Sequence, residues 1–289
     1  MENKVKVIVD STVDMSLEKL KELDVTMLPL SVLINNEEYK DLIDIKWDEL
    51  IDKVKKYNTL PKTSAISIQT FIDYFDLYVK DGYDVIYLSL GKEFSCNYNN
   101  ALVASCDYPE HVYVLDSKNL SSAIALQLLK ICKYRDEGLS AKEIAKKMEY
   151  IIDCTQTETA LETMEYLYKG GRCSGIKYLL GSILRLFPIV KVNGKITVHK
   201  VGKGFFKNSL NIIINDFKKD LDAGNVDTDN IIISSVGNEK GQRYLYEKIS
   251  SFFPKKKILL FDAGCVVSSH CGPGTTGFFY IKKNRVHNE

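Results

Sequence analysis

The segment Val5-Lys-Val-Ile-Val-Asp-Ser-Thr12 begins the chain with a short β-branched run that ends in polar residues. Such a run predicts a buried strand, because β-branched side chains pack well in sheets. The charged amphipathic segment 16–23 that follows has helical spacing. A strand that leads directly into a helix is the usual start of an α/β layer, so we expect this fold class for the first half.

The same pattern returns twice in the first half of the chain. Residues 84–90 (DVIYLSL) and 111–115 (HVYVL) are short apolar runs that end in polar residues before helical segments. Repeated alternation of strand and helix predicts a parallel sheet. Asn35-Asn36, between two β-prone stretches, is typical of a hairpin. We therefore predict an α/β domain over residues 1–155 with a small antiparallel excursion near 28–40.

The order of elements changes after a helical segment at 140–153. Residues 158–169 have helical spacing and stop at Gly170-Gly171, and a second short helix is expected near 176–184. Asn193-Gly194 predicts a hairpin. The remaining expected elements are helices over 206–221 and 239–252 and strands over 230–234, 257–262 and 278–282. Together they predict an α+β domain over residues 156–289 with a largely antiparallel sheet.

Charge and composition exclude several classes of partner. Thirty-nine basic residues against 38 acidic ones give a formal net charge of +1, which provides no field for nucleic acid or an anionic membrane. No apolar run approaches the ~20 residues that span a bilayer. The seven cysteines form no Cys-x-x-Cys pair and follow no secretory h-region. We expect a cytoplasmic protein with reduced thiols, no nucleic-acid partner and no stable membrane insertion.

A glycine-dense segment near the end of the chain contains the histidine with the most site-like setting. The segment runs Gly264-Cys-Val-Val-Ser-Ser-His270-Cys-Gly-Pro-Gly-Thr-Thr-Gly277. Four glycines and a proline suit neither a helix nor a strand, so we predict a tight loop from which His270 reaches a ligand. The alternative is a plain connection with an exposed histidine. Cys265, His270 and Cys271 lack a second ligand pair, so no metal is predicted. The sequence contains no phosphate-binding glycine motif, so no cofactor is predicted.

Hydroxyl groups lie at two further predicted element ends. Thr63, Ser64 and Ser67 precede the apolar-periodic run 68–79, where Ser64 or Ser67 would cap a helix, and where free amides and spare hydroxyls could also bind an anion. Ser95 follows a predicted sheet strand, and ligands of open α/β sheets bind at that edge. Gly-x-Ser-x-Gly is absent around Ser95. A serine hydrolase or acyltransferase that uses Ser95 and His270 stays open as an alternative.

Arg172 lies within the run Gly170-Gly-Arg-Cys-Ser-Gly175, where few side chains crowd its guanidinium. It could bind a phosphoryl group bidentately. It could equally cap the carbonyls of the preceding helix. The sequence leaves both roles open.

From Val5 to about Lys282, these segments resemble the DegV family of bacterial fatty-acid-binding proteins. The motifs occur in family order: Val9-Asp10-Ser11-Thr12, Pro29-Leu30-Ser31-Val32, Tyr39-Lys40-Asp41, Gly170-Gly171-Arg172 and His270-Cys-Gly-Pro-Gly-Thr-Thr-Gly277. The resemblance implies two α/β domains that enclose an acyl chain. It also implies a lipid-binding protein, without enzymatic activity of its own, that presents its fatty acid to an ATP-dependent kinase and so serves phospholipid metabolism. A small-molecule sensor without a kinase partner is a third reading.

The resemblance also implies which residues meet the ligand. The carboxylate would contact hydroxyls of Thr63 and Ser95, with Ser64 beside them. His270 and Gly272 of the His-x-Gly-Pro-Gly loop would lie near the same head group, and Arg172 would support phosphoryl transfer. The chain departs from the family where Ala65-Ile66 replaces Gln-Pro and where Cys96 replaces a glycine.

Overall fold

The computed structural model describes residues 4–172 and 185–284. These residues form three sheets and the helices that cover them. The strands are β1 (Lys4–Asp10), β2 (Val25–Leu28), β3 (Ser31–Ile34), β4 (Glu37–Lys40), β5 (Lys62–Ser64), β6 (Tyr83–Ser89), β7 (Val112–Asp116), β8 (Thr155–Ala160), β9 (Leu186–Asn193), β10 (Lys195–Lys203), β11 (Ile231–Ser235), β12 (Ile258–Asp262) and β13 (Thr276–Ile281).

The α-helices alternate with these strands in the first half and cover the sheet of the second. They are α1 (Leu17–Glu22), α2 (Trp47–Tyr57), α3 (Ile68–Lys80), α4 (Asn97–Ser105), α5 (Ser122–Asp136), α6 (Ala141–Cys154), α7 (Glu165–Lys169), α8 (Phe206–Asp222), α9 (Glu239–Ile249) and α10 (Cys265–Cys271). Within the described ranges, no helix has the length and apolar character needed to span a membrane.

The first sheet is parallel throughout, with strand order β2-β1-β6-β7. Val7, Ile8 and Val9 of β1 are fully buried, as expected of a strand covered on both faces. The predicted excursion is the β3–β4 hairpin, whose turn residues Asn35 and Asn36 both have positive φ. β5 pairs with the other edge of β3. The predicted parallel sheet of the first half is confirmed.

The second sheet has strand order β10-β9-β8-β13-β11-β12, and every pairing except β11 with β12 is antiparallel. The predicted hairpin is β9–β10, turning at Gly194 with φ of 70°. This largely antiparallel sheet confirms the expected fold class of the second half. The division into domains at residue 155 stays a prediction.

Helix α5 lies between the two large sheets. It contacts β1 of the first sheet and β8, β11 and β13 of the second. Ten of its residues are buried, including Ala123, Ile124 and Leu128, as expected of a helix covered on all sides. The loop that leads into this helix, with Leu120, is thereby held between the sheets.

Three sequence predictions differ from the structure. Residues 158–169 are not one helix, because Thr155–Ala160 is β8, a central strand paired with β9 and β13, and only Glu165–Lys169 is helical. Because β8 pairs with a strand on each side, this tertiary pairing outweighs the helical spacing of its polar residues. Thr63 and Ser64 do not begin α3. They lie in β5, whereas Ser67, the other predicted candidate for the cap, does cap the helix by accepting the amide of Thr70.

The third difference lies in the glycine-dense segment, where Cys265–Cys271, including His270, form helix α10. The predicted tight turn is confined to 272–275, with positive φ at Gly272 and Gly274. Glycines bound this helix, with Gly264 at the N-cap and Gly272 at the C-cap with φ of 78°. Glycine is common at both cap positions, so two of the glycines in this segment mark the two ends of a helix. The second helix predicted near 176–184 lies outside the described residues.

Candidate ligand-binding site

A cavity of about 480 Å³ lies where α10 approaches the first sheet and the β3–β5 sheet. Ligand pockets of this size are common, since they span roughly 300–1,000 Å³. One part of its wall is apolar, formed by Leu30, Leu90, Leu120, Ile196, Val266 and Val267. Five of the six predicted site residues also line it: Thr63, Ser64, Ser95, Arg172 and His270. The cavity therefore combines an apolar wall with hydroxyls, one imidazole and the charged side chains of Lys92, Glu93 and Arg172.

Thr63 and His270 make direct contact in this wall. Oγ1 of Thr63, in β5, lies 3.0 Å from Nε2 of His270, in the last turn of α10. The second ring nitrogen, Nδ1, is buried and has no hydrogen-bond partner among the described residues. Gly170 packs against this nitrogen so closely that a Cβ there would lie 2.5 Å from it. The imidazole is thus fixed in position, with Nε2 directed at Thr63.

His270 is neutral at neutral pH. Burial, and to a lesser degree the positive charge of Arg172, lowers its pKa to about 4. A neutral imidazole has one N–H donor and one acceptor nitrogen. If Nε2 carries the hydrogen, His270 donates to Thr63 and leaves the hydroxyl hydrogen of Thr63 free for a ligand in the cavity.

Two buried aspartates hold the helix that carries His270. The amide of Gly264 donates to Asp14 Oδ1 at 2.8 Å, and the amide of Cys265 donates to Asp41 Oδ1 at 2.7 Å. Carboxylates at a helix N-terminus satisfy amides that have no partner within the helix. A Cβ at Gly264 would lie only 2.9 to 3.1 Å from the side chains of Leu42 and both aspartates, so a larger residue here would force these side chains to shift.

Burial sets the protonation of both carboxyls. It raises the pKa of Asp41 to about 6, against the lowering effect of the Ser11 hydroxyl, which donates to Oδ2 at 2.8 Å. Burial also raises the pKa of Asp14 well above its usual value, while the hydroxyl of Ser121 donates to it at 2.5 Å. The sequence alone did not identify Asp14 and Asp41 as residues that hold this helix, although Asp41 belongs to the motif Tyr39-Lys40-Asp41.

Ser95 lies between β6 and α4, beyond the carboxyl end of a parallel strand. Its Oγ accepts the amide of Asn97 at 3.2 Å, so the side chain stabilises the start of α4. Asn97 is fully buried and accepts the amide of Ile66 at 3.0 Å. It thereby ties the segment after Thr63 to the segment after Ser95. Asn97 is a third residue that sequence reasoning missed.

A further network supports the same edge of the sheet. The Asp10 carboxylate accepts the Leu90 amide at 2.8 Å and the Tyr87 hydroxyl at 2.9 Å. The hydroxyl of Thr12, which lines the cavity, also donates to Asp10. The ends of β1 and β6 are thus joined through one buried carboxylate.

Arg172 lies at the cavity, at the end of the first described range. Its Nη1 donates to the carbonyl of Gly170 at 2.7 Å, and its Nε donates to the carbonyl of Phe94 at 3.4 Å. The first contact is the helix-capping role, since Gly170 is the C-cap of α7. The guanidinium nevertheless stays exposed. The rest of its motif, residues 173–175, lies outside the described residues.

Unlike the other five predicted site residues, Gly272 does not line the cavity. It ends α10, and a Cβ on it would lie 2.5 Å from the ring of Tyr166. Cys96 is exposed and lines the cavity beside Ser95.

The arrangement around Ser95 lacks the pairing that a serine hydrolase needs. A nucleophilic serine is activated by a hydrogen-bonded base, which is in turn oriented by a third group. His270 Nε2 contacts Thr63, and Nδ1 has no orienting carboxylate within residues 4–172 and 185–284. The geometry therefore favours binding over acyl transfer at Ser95.

The fold and the cavity define an α/β protein with an internal, partly apolar ligand pocket. The family model described as "Uncharacterised protein, DegV family" matches residues 4–283. The chain belongs to the DegV family.

Individual relatives are similar to this chain over nearly its whole length. A DegV domain-containing protein of Clostridium acetobutylicum is 29% identical over 282 residues, covering 97% of this chain and 99% of the relative. The structure of a stearic acid-binding protein from Eubacterium ventriosum matches with a TM-score of 0.83 and 26% identity, covering 96% of this chain and 98% of the other. A fatty acid-binding DegV protein from Thermus thermophilus shares the fold, with a TM-score of 0.87, 24% identity, and coverage of 96% and 99%.

Proposed function

We propose that this protein binds one long-chain fatty acid in the cavity and presents it, as a non-catalytic subunit, to an ATP-dependent fatty-acid kinase in the cytoplasm. The observation that carries the binding proposal is the Thr63–His270 hydrogen bond of 3.0 Å in the wall of a partly apolar cavity. The stearic acid bound by the Eubacterium ventriosum relative supports the choice of ligand.

The apolar wall explains the preference for a long chain. Each CH₂ group transferred from water contributes about 0.8 kcal/mol, so ~16 such groups provide a large driving force before ordering costs are subtracted. Leu30, Leu90 and Leu120 are the side chains on which we place the first part of the tail.

The head group would be held by neutral donors. With Nε2 of His270 donating to Thr63, the Thr63 hydroxyl donates to one carboxylate oxygen, and the Ser95 hydroxyl donates to the same group. Hydrogen bonds to an ionised acceptor are about twice as strong as neutral ones. Because no cation pairs tightly with the carboxylate in this arrangement, one oxygen keeps its nucleophilic character toward phosphorus.

Arg172 supports the kinase part of the proposal. Its guanidinium is exposed at the cavity, where it can approach the phosphoryl group that a kinase delivers. Its two contacts are to backbone carbonyls, so its positive charge is not neutralised by them.

Calorimetric titration of lipid-stripped protein tests the binding proposal. We expect one site for hexadecanoic acid, and weaker binding of hexadecanol, which has the same chain without a carboxylate. Equal affinity for acid and alcohol would contradict the proposed head-group contacts. Incubation of the loaded protein with ATP and a bacterial fatty-acid kinase then tests presentation, and acyl phosphate is the expected product.

A further inference from the structure

Three metal-ligating side chains meet on the second sheet, away from the cavity described above. They are Glu158 of β8, His199 of β10 and Asp216 of α8, and one ligand atom from each lies within 4.8 Å of the others. Nε2 of His199 is 2.9 Å from Oδ2 of Asp216. None of the three lines the proposed fatty-acid cavity. The cluster therefore requires an account of its own.

Glu158 is the residue that points to a missing ligand. Its side chain is 1% exposed, yet neither carboxylate oxygen has a hydrogen-bond partner among the described residues. Lys191 Nζ lies 3.0 Å from Oε1, which gives a charge contact without hydrogen-bond geometry. Burying a carboxylate is costly unless it is paired and fully hydrogen-bonded, or bound to a metal. A cation between Glu158, His199 and Asp216 would remove that cost.

The three ligands also suit one class of ion. An imidazole nitrogen with two carboxylate oxygens is a donor set used by Zn²⁺, with bonds of roughly 2.0–2.2 Å. Tetrahedral bonds of that length place ligand atoms about 3.4 Å apart, so the three ligand atoms would have to move closer together to hold the ion. His199 and Asp216 are 25% and 21% exposed, which gives an ion access from solvent. We propose that Glu158, His199 and Asp216 bind a divalent transition-metal ion of the zinc class.

Two lysines contact the cluster, Lys191 at Glu158 and Lys200 at Asp216. Nζ of Lys200 is 2.6 and 2.7 Å from the two oxygens of Asp216. A β-bulge between Val198 and Lys200 allows the successive residues His199 and Lys200 to contact this one carboxylate. Lys200 is 44% exposed, so it can turn into solvent when a metal displaces it. Its removal should therefore tighten metal binding, which a purely structural ion-pair network would not produce.

The test is calorimetric titration of the full-length, chelator-stripped and reduced protein with Zn²⁺. We expect one saturable site. His199→Ala and Glu158→Gln should each weaken it at least ~10-fold, since even outer-shell changes cost that much, whereas Lys200→Met should strengthen it. His199→Ala replaces a partly exposed side chain and provides the decisive variant if Glu158→Gln fails to fold.

His111→Ala is the matched control, because His111 also pairs with an aspartate but lies directly before β7 of the first sheet, away from the cluster. Its affinity should equal that of the wild type. Cys96→Ser with Cys106→Ser removes the two thiols that are exposed within residues 4–172 and 185–284, which could act as alternative ligands, and should also leave the site intact. Absence of a saturable site in the wild type, unchanged affinity in both His199→Ala and Glu158→Gln, or loss of binding with the cysteines would overturn the proposal.

Discussion

Oγ1 of Thr63 and Nε2 of His270 lie 3.0 Å apart although 207 positions separate them in the chain. One residue belongs to a short edge strand of the β3–β5 sheet, and the other to the last turn of α10. Their contact joins the first half of the chain to the second at the wall of the cavity. It is also the contact on which the proposed head-group recognition depends.

Thr63→Val should weaken binding of a long-chain fatty acid by ~10-fold or more, because a hydrogen bond to a charged group contributes about 1.5–3 kcal/mol. Binding of the corresponding alcohol should change less. Thr197→Val, an exposed threonine in β10, is the matched control and should bind as the wild type does. Equal acid affinity in all three proteins, measured by calorimetry, would place the carboxylate elsewhere.

His270 should make the protein less stable as the pH falls. Its folded-state pKa of about 4 lies below the usual value of 6.5, so the unfolded chain binds more protons between these two values. The free energy of unfolding of the wild type relative to His270→Asn should decrease from pH 7 to pH 4. The full change is about 3 kcal/mol. Denaturant titrations of both proteins across this range measure it, and parallel pH profiles would contradict it.

Asp41 should make the protein less stable as the pH rises, which is the opposite of the effect of His270. Its folded-state pKa of about 6 lies above the usual 3.8, so its stabilising contribution is complete below pH 4 and is lost as the pH rises through 6. Asn resembles the protonated carboxyl. Asp41→Asn should therefore match the wild type near pH 4 and be more stable by as much as about 3 kcal/mol at pH 8. A variant that is less stable than the wild type at pH 8 would refute this.

Arg172→Ala should leave fatty-acid affinity largely unchanged, because the guanidinium contacts the carbonyls of Gly170 and Phe94. The rate of acyl phosphate formation with a kinase should fall. Calorimetry and a single-turnover phosphorylation assay separate these effects. The assignment fails if affinity collapses while the rate per bound ligand stays normal. Lys207→Ala, outside the cavity lining, is a suitable control for loss of one positive charge.

Local sequence patterns correctly predicted those strands and turns whose conformation depends mainly on their own residues. The β-branched run at Val7 to Val9 became a buried parallel strand, and the Asn35-Asn36 and Asn193-Gly194 turns formed hairpins with positive φ. β8 was missed because its alternating threonines and Glu158 look solvent-exposed in sequence. Its burial comes from β9 and β13, which lie far along the chain. Helix α10 was missed because glycine was taken as interrupting a helix whose ends it forms.

The sequence identified candidate site residues, five of which line one cavity, but not their geometry, and their role in binding stays a prediction. Hydroxyls and the histidine were recognisable because they lie at element ends and in recurrent motifs. The pairing of Thr63 with His270 depends on how α10 packs against β5, and no local pattern encodes that contact. Asp14 was missed for the same reason, because its hydrogen bond to Gly264 spans 250 positions.

The most direct test of the central claim is native mass spectrometry of the purified protein, before and after organic extraction, with no lipid added. The account predicts one additional mass of ~250–300 Da, as expected for a chain long enough to gain from burial, released as free fatty acid by extraction. Thr63→Val should retain less of it. A mass that survives denaturation would indicate covalent attachment at Ser95 or a cysteine. That result, or a protein that carries no lipid and takes up no added fatty acid, would contradict the account.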